Sequence, residues 1–217
     1  MGNMYNRKII KMSLHKITKL YLLSFTIGFF SCTKAQVQES SLRSQVKIET
    51  SIFTVLYSET KEQPITLTYK SSNRPKNVDR GSMNFYEEPN YHTSDNADYY
   101  RNVWDKGHLA PAATFSDSME NLKQTFSYLN CALQNQYLNR GEWRLLEEQE
   151  RKWDDNEELI IKVDIIFSDN VLPTGATLPK TFIKHIKFTK SDVYKCYSFP
   201  NEKPIKDWEE YEVKHSH

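Results

Sequence analysis

One histidine in this chain stands where it could do acid–base work. In Trp104-Asp105-Lys106-Gly107-His108-Leu109-Ala110-Pro111-Ala112 the glycine is expected to let the backbone bend, so that the imidazole leaves a strand end and points into a cleft with the Lys106 charge two residues away. An imidazole with an ordinary pKa of about 6.5 is neutral near pH 7 and can take a proton from a water that attacks phosphorus. A lone His beside Gly serves structure more often than chemistry, so a second group has to carry the reading. The stretch Asn130 to Glu147 supplies it, placing amides and a carboxylate around a helix start. Asn139 and Glu147 are eight residues apart, roughly 80° around a helix of 3.6 residues per turn, so both are expected to face one cleft. Oxygen ligands of this kind suit Mg²⁺, which keeps several waters and often takes one or two protein ligands plus substrate phosphate.

The surrounding sequence predicts the elements that hold these residues. Ser51 to Tyr57 and Ile65 to Tyr69 are rich in β-branched and aromatic residues and read as a hairpin. Ser71 to Arg101 is polar and aromatic without a period, as expected of a long ordered loop with a function. Asp117 and Glu120 resemble a capping box that opens a helix ending near Phe126. Tyr128 to Ala132 is a short buried segment, and a second helix is predicted from about Leu138 to Trp153, with Asn139, Trp143, Leu146 and Glu150 on one stripe. Leu159 to Phe167, Thr181 to Phe188 and Asp192 to Phe199 read as strands, with a turn at Pro173 to Gly175.

These motifs resemble the DNA/RNA non-specific endonucleases. The family's Asp-Arg-Gly-His signature is matched by Asp105-Lys106-Gly107-His108, and its Asn-x-x-Pro-Gln...Leu-Asn-x-x-x-Trp-x-x-Leu-Glu stretch by Asn130, Gln134, Leu138-Asn139, Trp143 and Leu146-Glu147. Asn96-Ala97-Asp98-Tyr99, Leu178 to Lys184 and Phe199-Pro200-Asn201 extend the likeness over most of Ile52 to Asn201. The resemblance implies an α+β, ββα-metal (His-Me finger) nuclease fold, a central antiparallel sheet flanked by helices. It implies a sugar-non-specific endonuclease that binds DNA or RNA with little sequence preference, leaves 5′-phosphates and uses Mg²⁺, with Mn²⁺ as a substitute. It implies His108 as general base, Asn139 as the direct metal ligand, Glu147 holding metal waters, and Asn130 orienting the base or those waters. It places Arg80 on a phosphate, with Arg74 as the fallback. Lys106 stands where the signature has arginine, exchanging a planar fork for a point charge at the phosphate.

Residues 1–36 read as a leader. Arg7, Lys8, Lys11, Lys16 and Lys19 precede an apolar run from Leu20 to Phe30, which at eleven residues is shorter than the roughly 20 of a spanning helix. Phe29-Phe30-Ser31-Cys32 resembles a lipoprotein box that would anchor Cys32 to lipid, whereas a cut after Ala35 or Gln36 would release a soluble exported protein. Either reading places the protein in the periplasm, on the outer membrane or outside the cell. The expected organisation is leader 1–36, polar tether 37–50, nuclease domain 51–210 and flexible tail 211–217; a homodimer is compatible with it. Without residues 1–31 the chain carries 24 basic and 28 acidic residues, so a polyanion has to be held by a local patch.

Other readings compete for single residues. Cys131 and Cys196 could pair as a disulfide or lie buried as thiols, and a thiol hydrolase built on Cys131 and His108 lacks the cysteine signatures of such enzymes. Lys180, Lys184 and Lys187 could face DNA or guard an edge strand. Trp104 and Trp143 read as packing around the site, and His215 and His217 as a frayed end. The alternative to the enzyme is a surface lipoprotein of the same fold that binds nucleic acid and cleaves it weakly or not at all.

Overall fold

The structure is a computed structural model that describes residues 42–213, so the leader, Cys32, His215 and His217 lie outside the described residues. The elements run β1 (Val46–Glu49), β2 (Phe53–Ser58), β3 (Gln63–Ser71), β4 (Trp104–His108), α1 (Met119–Thr125), β5 (Cys131–Asn135), α2 (Gln136–Leu138), α3 (Arg144–Trp153), β6 (Leu159–Val171), β7 (Thr177–Phe188) and β8 (Tyr194–Pro200). Six strands form an antiparallel sheet in the order β1-β2-β3-β6-β7-β8, and β4 pairs with β5 in a separate antiparallel ribbon. The expected β2–β3 hairpin and the β6–β7 turn at Pro173 to Gly175 both form.

Both predicted boundaries of the domain move outward. Val46–Glu49 was expected in a tether, but Ile48 is buried while Lys47 and Glu49 face solvent, a period-two pattern that makes it an edge strand against β2. Arg43 secures its entry with two guanidinium nitrogens on the Glu59 carboxylate, each at 2.7 Å. At the other end the tail is held as far as Val213: Tyr211 lies 4.8 Å from the Phe199 ring, and the Val213 N–H donates to the Cys196 carbonyl.

The helices also depart from the sequence expectation. Ser118, not Asp117, caps α1 by accepting from the Asn121 N–H, and Asp117 instead receives Arg74 and the Asn121 side chain. The single helix expected over 138–153 is interrupted. A wide turn over Asn139–Trp143 breaks at Gly141 (φ −106°, ψ −113°) before α3 begins. Trp143, Leu146 and Glu150, at helical spacing, then pack onto the inner face of the six-stranded sheet, where Trp143 sits 5.5 Å from Phe182 and 5.8 Å from Phe199.

That interface encloses a charge pair. Lys184 on β7 and Glu150 on α3 are fully buried, with Nζ and Oε1 2.8 Å apart. Tyr69 Oη donates to the other Glu150 oxygen at 2.9 Å, and the Lys184 ammonium lies 4.1 Å from the Trp143 ring centre. The three lysines of β7 therefore share no surface: Lys184 is internal, Lys187 pairs with Asp192, and β7 is an interior strand that needs no edge protection. Cys131 and Cys196 are both free, buried thiols, and burial pushes the Cys131 thiol up to about 12, far from a nucleophilic thiolate. Replacing Lys184 by Met leaves the Glu150 charge buried without its cation and is expected to cost about 3–5 kcal/mol in urea unfolding. The double change Lys184→Met, Glu150→Leu should recover most of that loss, and a single change without effect would show that the pair carries no stability.

Candidate active site

The β4–β5 ribbon has a ladder on one side only, from Trp104 opposite Asn135 to His108 opposite Cys131. The outer edge of β5 lies on buried residues, and its backbone groups need partners. Side-chain amides supply them. Gln63 at the start of β3 accepts from the Leu133 N–H at 3.0 Å, while Asn201 donates to the Leu133 carbonyl and accepts from the Asn135 N–H. Asn130 holds the strand end: its Oδ1 accepts from Ala110 N–H, and its Nδ2 donates to the Ala110 and Thr125 carbonyls. Its backbone carbonyl accepts from the Leu109 N–H. Every polar atom of the fully buried Asn130 side chain is thus bonded to backbone, so it fixes the segment that follows His108 and does not line the cavity.

Gly107 acts differently from the sequence expectation. It lies within β4, and a Cβ there would sit 2.6 Å from the Gln134 Cβ on the facing strand. The requirement for glycine comes from close packing, not from a bend.

The long loop before β4 closes the site. Tyr86 makes a short parallel bridge to Ser127, with its N–H on the Phe126 carbonyl and its own carbonyl accepting from the Tyr128 N–H. This anchor places Arg80, Met83, Asn84 and Phe85 with Asp105, Lys106, His108 and Asn139 around one cavity of about 330 Å³. Phe85 packs 4.7 Å from the His108 ring and Phe126 meets it edge-on at 5.0 Å. Burial first, and the Arg80 charge second, push the His108 pKa down from 6.5 to about 3, so the imidazole is neutral, and its Nε2 is buried without a protein partner.

Asn139 reaches the cavity from the broken turn after α2. Its Nδ2 donates to Asp105 Oδ2 at 2.9 Å, which turns its Oδ1 away from Asp105. Asp105 is itself gripped by Arg140 through two bonds of 2.7 and 2.6 Å. The sequence reading gave Asp105 and Arg140 no role, although Asp105 stands in the quoted signature and Arg140 follows Asn139; their function lies in a cross-strand contact that spacing does not display.

The remaining candidates sort themselves by place. Arg80 is the arginine at the cavity, with its guanidinium 5.3 Å from the Phe126 ring, whereas Arg74 is committed to Asp117 and the Phe115 ring. Lys106 borders the cavity, but its ammonium donates to Asn96 Oδ1 and stands 5.3–5.8 Å from the rings of Tyr128, Tyr99 and Phe85. It is held in an aromatic cage and not extended toward a phosphate. Glu147 does not line the cavity. The helix break at Gly141 voids the eight-residue angle, and the carboxyl is buried under α3, where desolvation raises it to about 7 against the opposing Lys184 charge.

The donor set fits a hard, water-rich cation better than a cage metal. Among the described residues no three His, Cys, Asp or Glu side chains converge. The cavity instead offers one outward amide oxygen, a neighbouring carboxylate and room for waters, the kind of sparse oxygen set that Mg²⁺ accepts. Asn139 would hold such an ion.

A β-ribbon followed by a helix, with an imidazole on one arm and an amide oxygen after the other, defines the ββα-metal class. The sequence profile described as DNA/RNA non-specific endonuclease matches residues 34–217, and the chain belongs to that family. It is similar to mitochondrial endonuclease G of Bos taurus, 39% identical over 75 residues, which are 33% of this chain and 25% of that protein. The human protein of the same name is 38% identical over 76 residues, 34% of this chain and 26% of its own length. Mitochondrial nuclease EXOG of Danio rerio is 37% identical over 59 residues, 27% and 17% of the two chains. The matched stretch thus spans about a quarter or less of these relatives. The fold is that of a chain in the crystal structure of the EndoG/EndoGI complex, at a TM-score of 0.68 and 21% identity over 77% of this chain and 80% of that one.

Two measurements check this geometry. Gly107→Ala is expected to destabilise the protein by about 1–3 kcal/mol through overpacking against Gln134, read from denaturant unfolding; an unchanged midpoint would refute the close approach. In an NMR titration the His108 ring resonances should keep their neutral positions as pH falls from about 8 to about 4.5, and Arg80→Gln should move the midpoint upward. Because the folded pKa lies below the unfolded one, the unfolded chain binds the proton first. The stability tied to this group is complete above about pH 6.5 and drains away toward about pH 3. A midpoint near 6.5 would contradict the burial.

Proposed function

We propose that this protein is an exported, Mg²⁺-dependent endonuclease that hydrolyses phosphodiester bonds of DNA or RNA with little sequence preference and leaves 5′-phosphates. The observation that carries the reading is the meeting of a neutral imidazole, an amide turned by Asp105 and an arginine without an ion pair among the described residues around one polar cavity.

In this scheme Arg80 and the backbone around it bind a non-bridging phosphate oxygen. His108 accepts a proton from a water as its oxygen bonds to phosphorus and the P–O3′ bond breaks, with the second proton need met by solvent at the leaving 3′-oxygen. A bound phosphate beside Arg80 offsets the cationic field on His108, the smaller of the two causes that hold its basicity down, while burial, the larger cause, remains. A divalent cation on Asn139 would stabilise charge on the phosphate and on the leaving oxygen. Asp105 keeps the Asn139 oxygen turned toward that place, and Arg140 keeps Asp105 from turning away. Phosphate contacts position the strand without reading bases, which accounts for slight sequence preference. The basic, apolar N-terminal leader ending at Cys32 supports export, with a lipid anchor on that cysteine.

Plasmid DNA incubated with the purified protein should be nicked and degraded with Mg²⁺ and stay intact with EDTA. His108→Ala should lower the rate by about 10²–10⁴ while the protein stays folded and retains DNA. Asn139→Ala should require much more Mg²⁺ for any cleavage. An intact plasmid with the unaltered protein and Mg²⁺ would favour a binding protein of the same fold.

A further inference from the structure

A second cavity, of about 420 Å³, lies at the Trp104 end of the β4–β5 ribbon. Trp104 forms one wall, Pro179 and Pro200 continue the apolar surface, and Lys180, Asn170 and Glu202 give it a polar rim. The four tryptophans of the chain differ here. Trp143, Trp153 and Trp208 each pack on other rings, whereas Trp104, half-buried, stacks on no aromatic ring among the described residues. This departs from the expectation that Trp104 merely packs around the site. Lys180 is exposed and forms no ion pair among the described residues, unlike Lys184 and Lys187 on the same strand.

The two cavities are bordered by neighbouring residues of β4. Asp105 borders the first and Trp104, one residue earlier, the second. Shortly after β5 the chain carries Tyr137, 55% exposed, with the Lys203 ammonium 5.3 Å from its ring. The rigid floor of the second cavity is Asn201, whose amide is spent on the Leu133, Asn135 and Pro179 backbone. Flat apolar walls with hydrogen-bonding groups at the rim match a nucleobase, whose faces stack and whose edges hydrogen-bond; the mixed charges of Lys180 and Glu202 suit a base edge better than a phosphate. A base can enter such a pocket only when it is unpaired.

We propose that this cavity is a nucleobase subsite, in which Trp104 stacks on an unpaired base of the strand whose phosphate lies in the His108–Asn139 cavity, and that single-stranded nucleic acid is therefore the better-held substrate. This rests on the nuclease reading above. The test measures binding of the full chain, in EDTA, to two fluorescent oligomers of equal length: oligothymidylate and the same phosphodiester chain with every base removed. Base stacking on one aromatic side chain is worth about five- to 150-fold in affinity. The unaltered protein should prefer the base-bearing oligomer; Trp104→Leu should cut that preference at least about fivefold while binding the abasic oligomer as before, and Trp104→Phe should restore most of it. Unchanged affinity for the abasic chain also shows that the variant is folded. A preference that Trp104→Leu leaves intact, or an equal loss for both oligomers, would overturn the subsite. Cleavage of plasmid and of single-stranded circular DNA by the same unaltered preparation with Mg²⁺ separates the two ideas: cleavage without a Trp104 effect removes only the subsite, whereas absence of cleavage of both DNAs removes the nuclease reading.

Discussion

The site depends on how a two-stranded ribbon, paired along one side only, satisfies its remaining backbone. Two strands alone are marginal in water, and buried unpaired N–H and C=O groups would cost about 1–3 kcal/mol each. Here the missing sheet neighbour is replaced by the carboxamides of Gln63, Asn130 and Asn201. An amide carries both a donor and an acceptor, so each can serve two backbone groups at once, as the Asn201 bonds to Leu133 and Asn135 show. The large sheet thereby fixes the ribbon's position, and the ribbon fixes His108.

Charge is arranged with the same economy. The chain without its leader is formally acidic, and three cations near the cavity meet different fates: Lys106 is caged by rings and Asn96, Arg140 is spent on Asp105, and Arg80 remains facing the imidazole. Among the described residues, the cavity therefore offers an anion the Arg80 guanidinium and a neutral imidazole instead of a diffuse basic field. The deep Lys184–Glu150 pair belongs to another layer, locking α3 to the sheet that carries the ribbon's amide anchors. Buried ions of this kind fix geometry more dependably than they add stability, because desolvation consumes most of their attraction.

Much of this was written in the sequence. β-branched and aromatic content placed five of the six strands of the main sheet, and only β1, set in the expected tether, escaped it. The Asp105-to-His108 and Asn130-to-Glu147 motifs located the site because they are local in the chain and rest on residue type. What remained hidden were features set by residues far apart. Asp105 meets Asn139 across 34 positions, and Asn201 reaches Leu133 across 68. Only the packed structure decided that Asn130 faces backbone, that the helix breaks at Gly141 between Asn139 and Glu147, that Lys106 is enclosed, and that Trp104 borders a cavity. Residue type and period specify which groups are present and which face of an element they occupy; partner and direction follow from close packing and from the need to pair every buried polar atom, and these are properties of the whole fold.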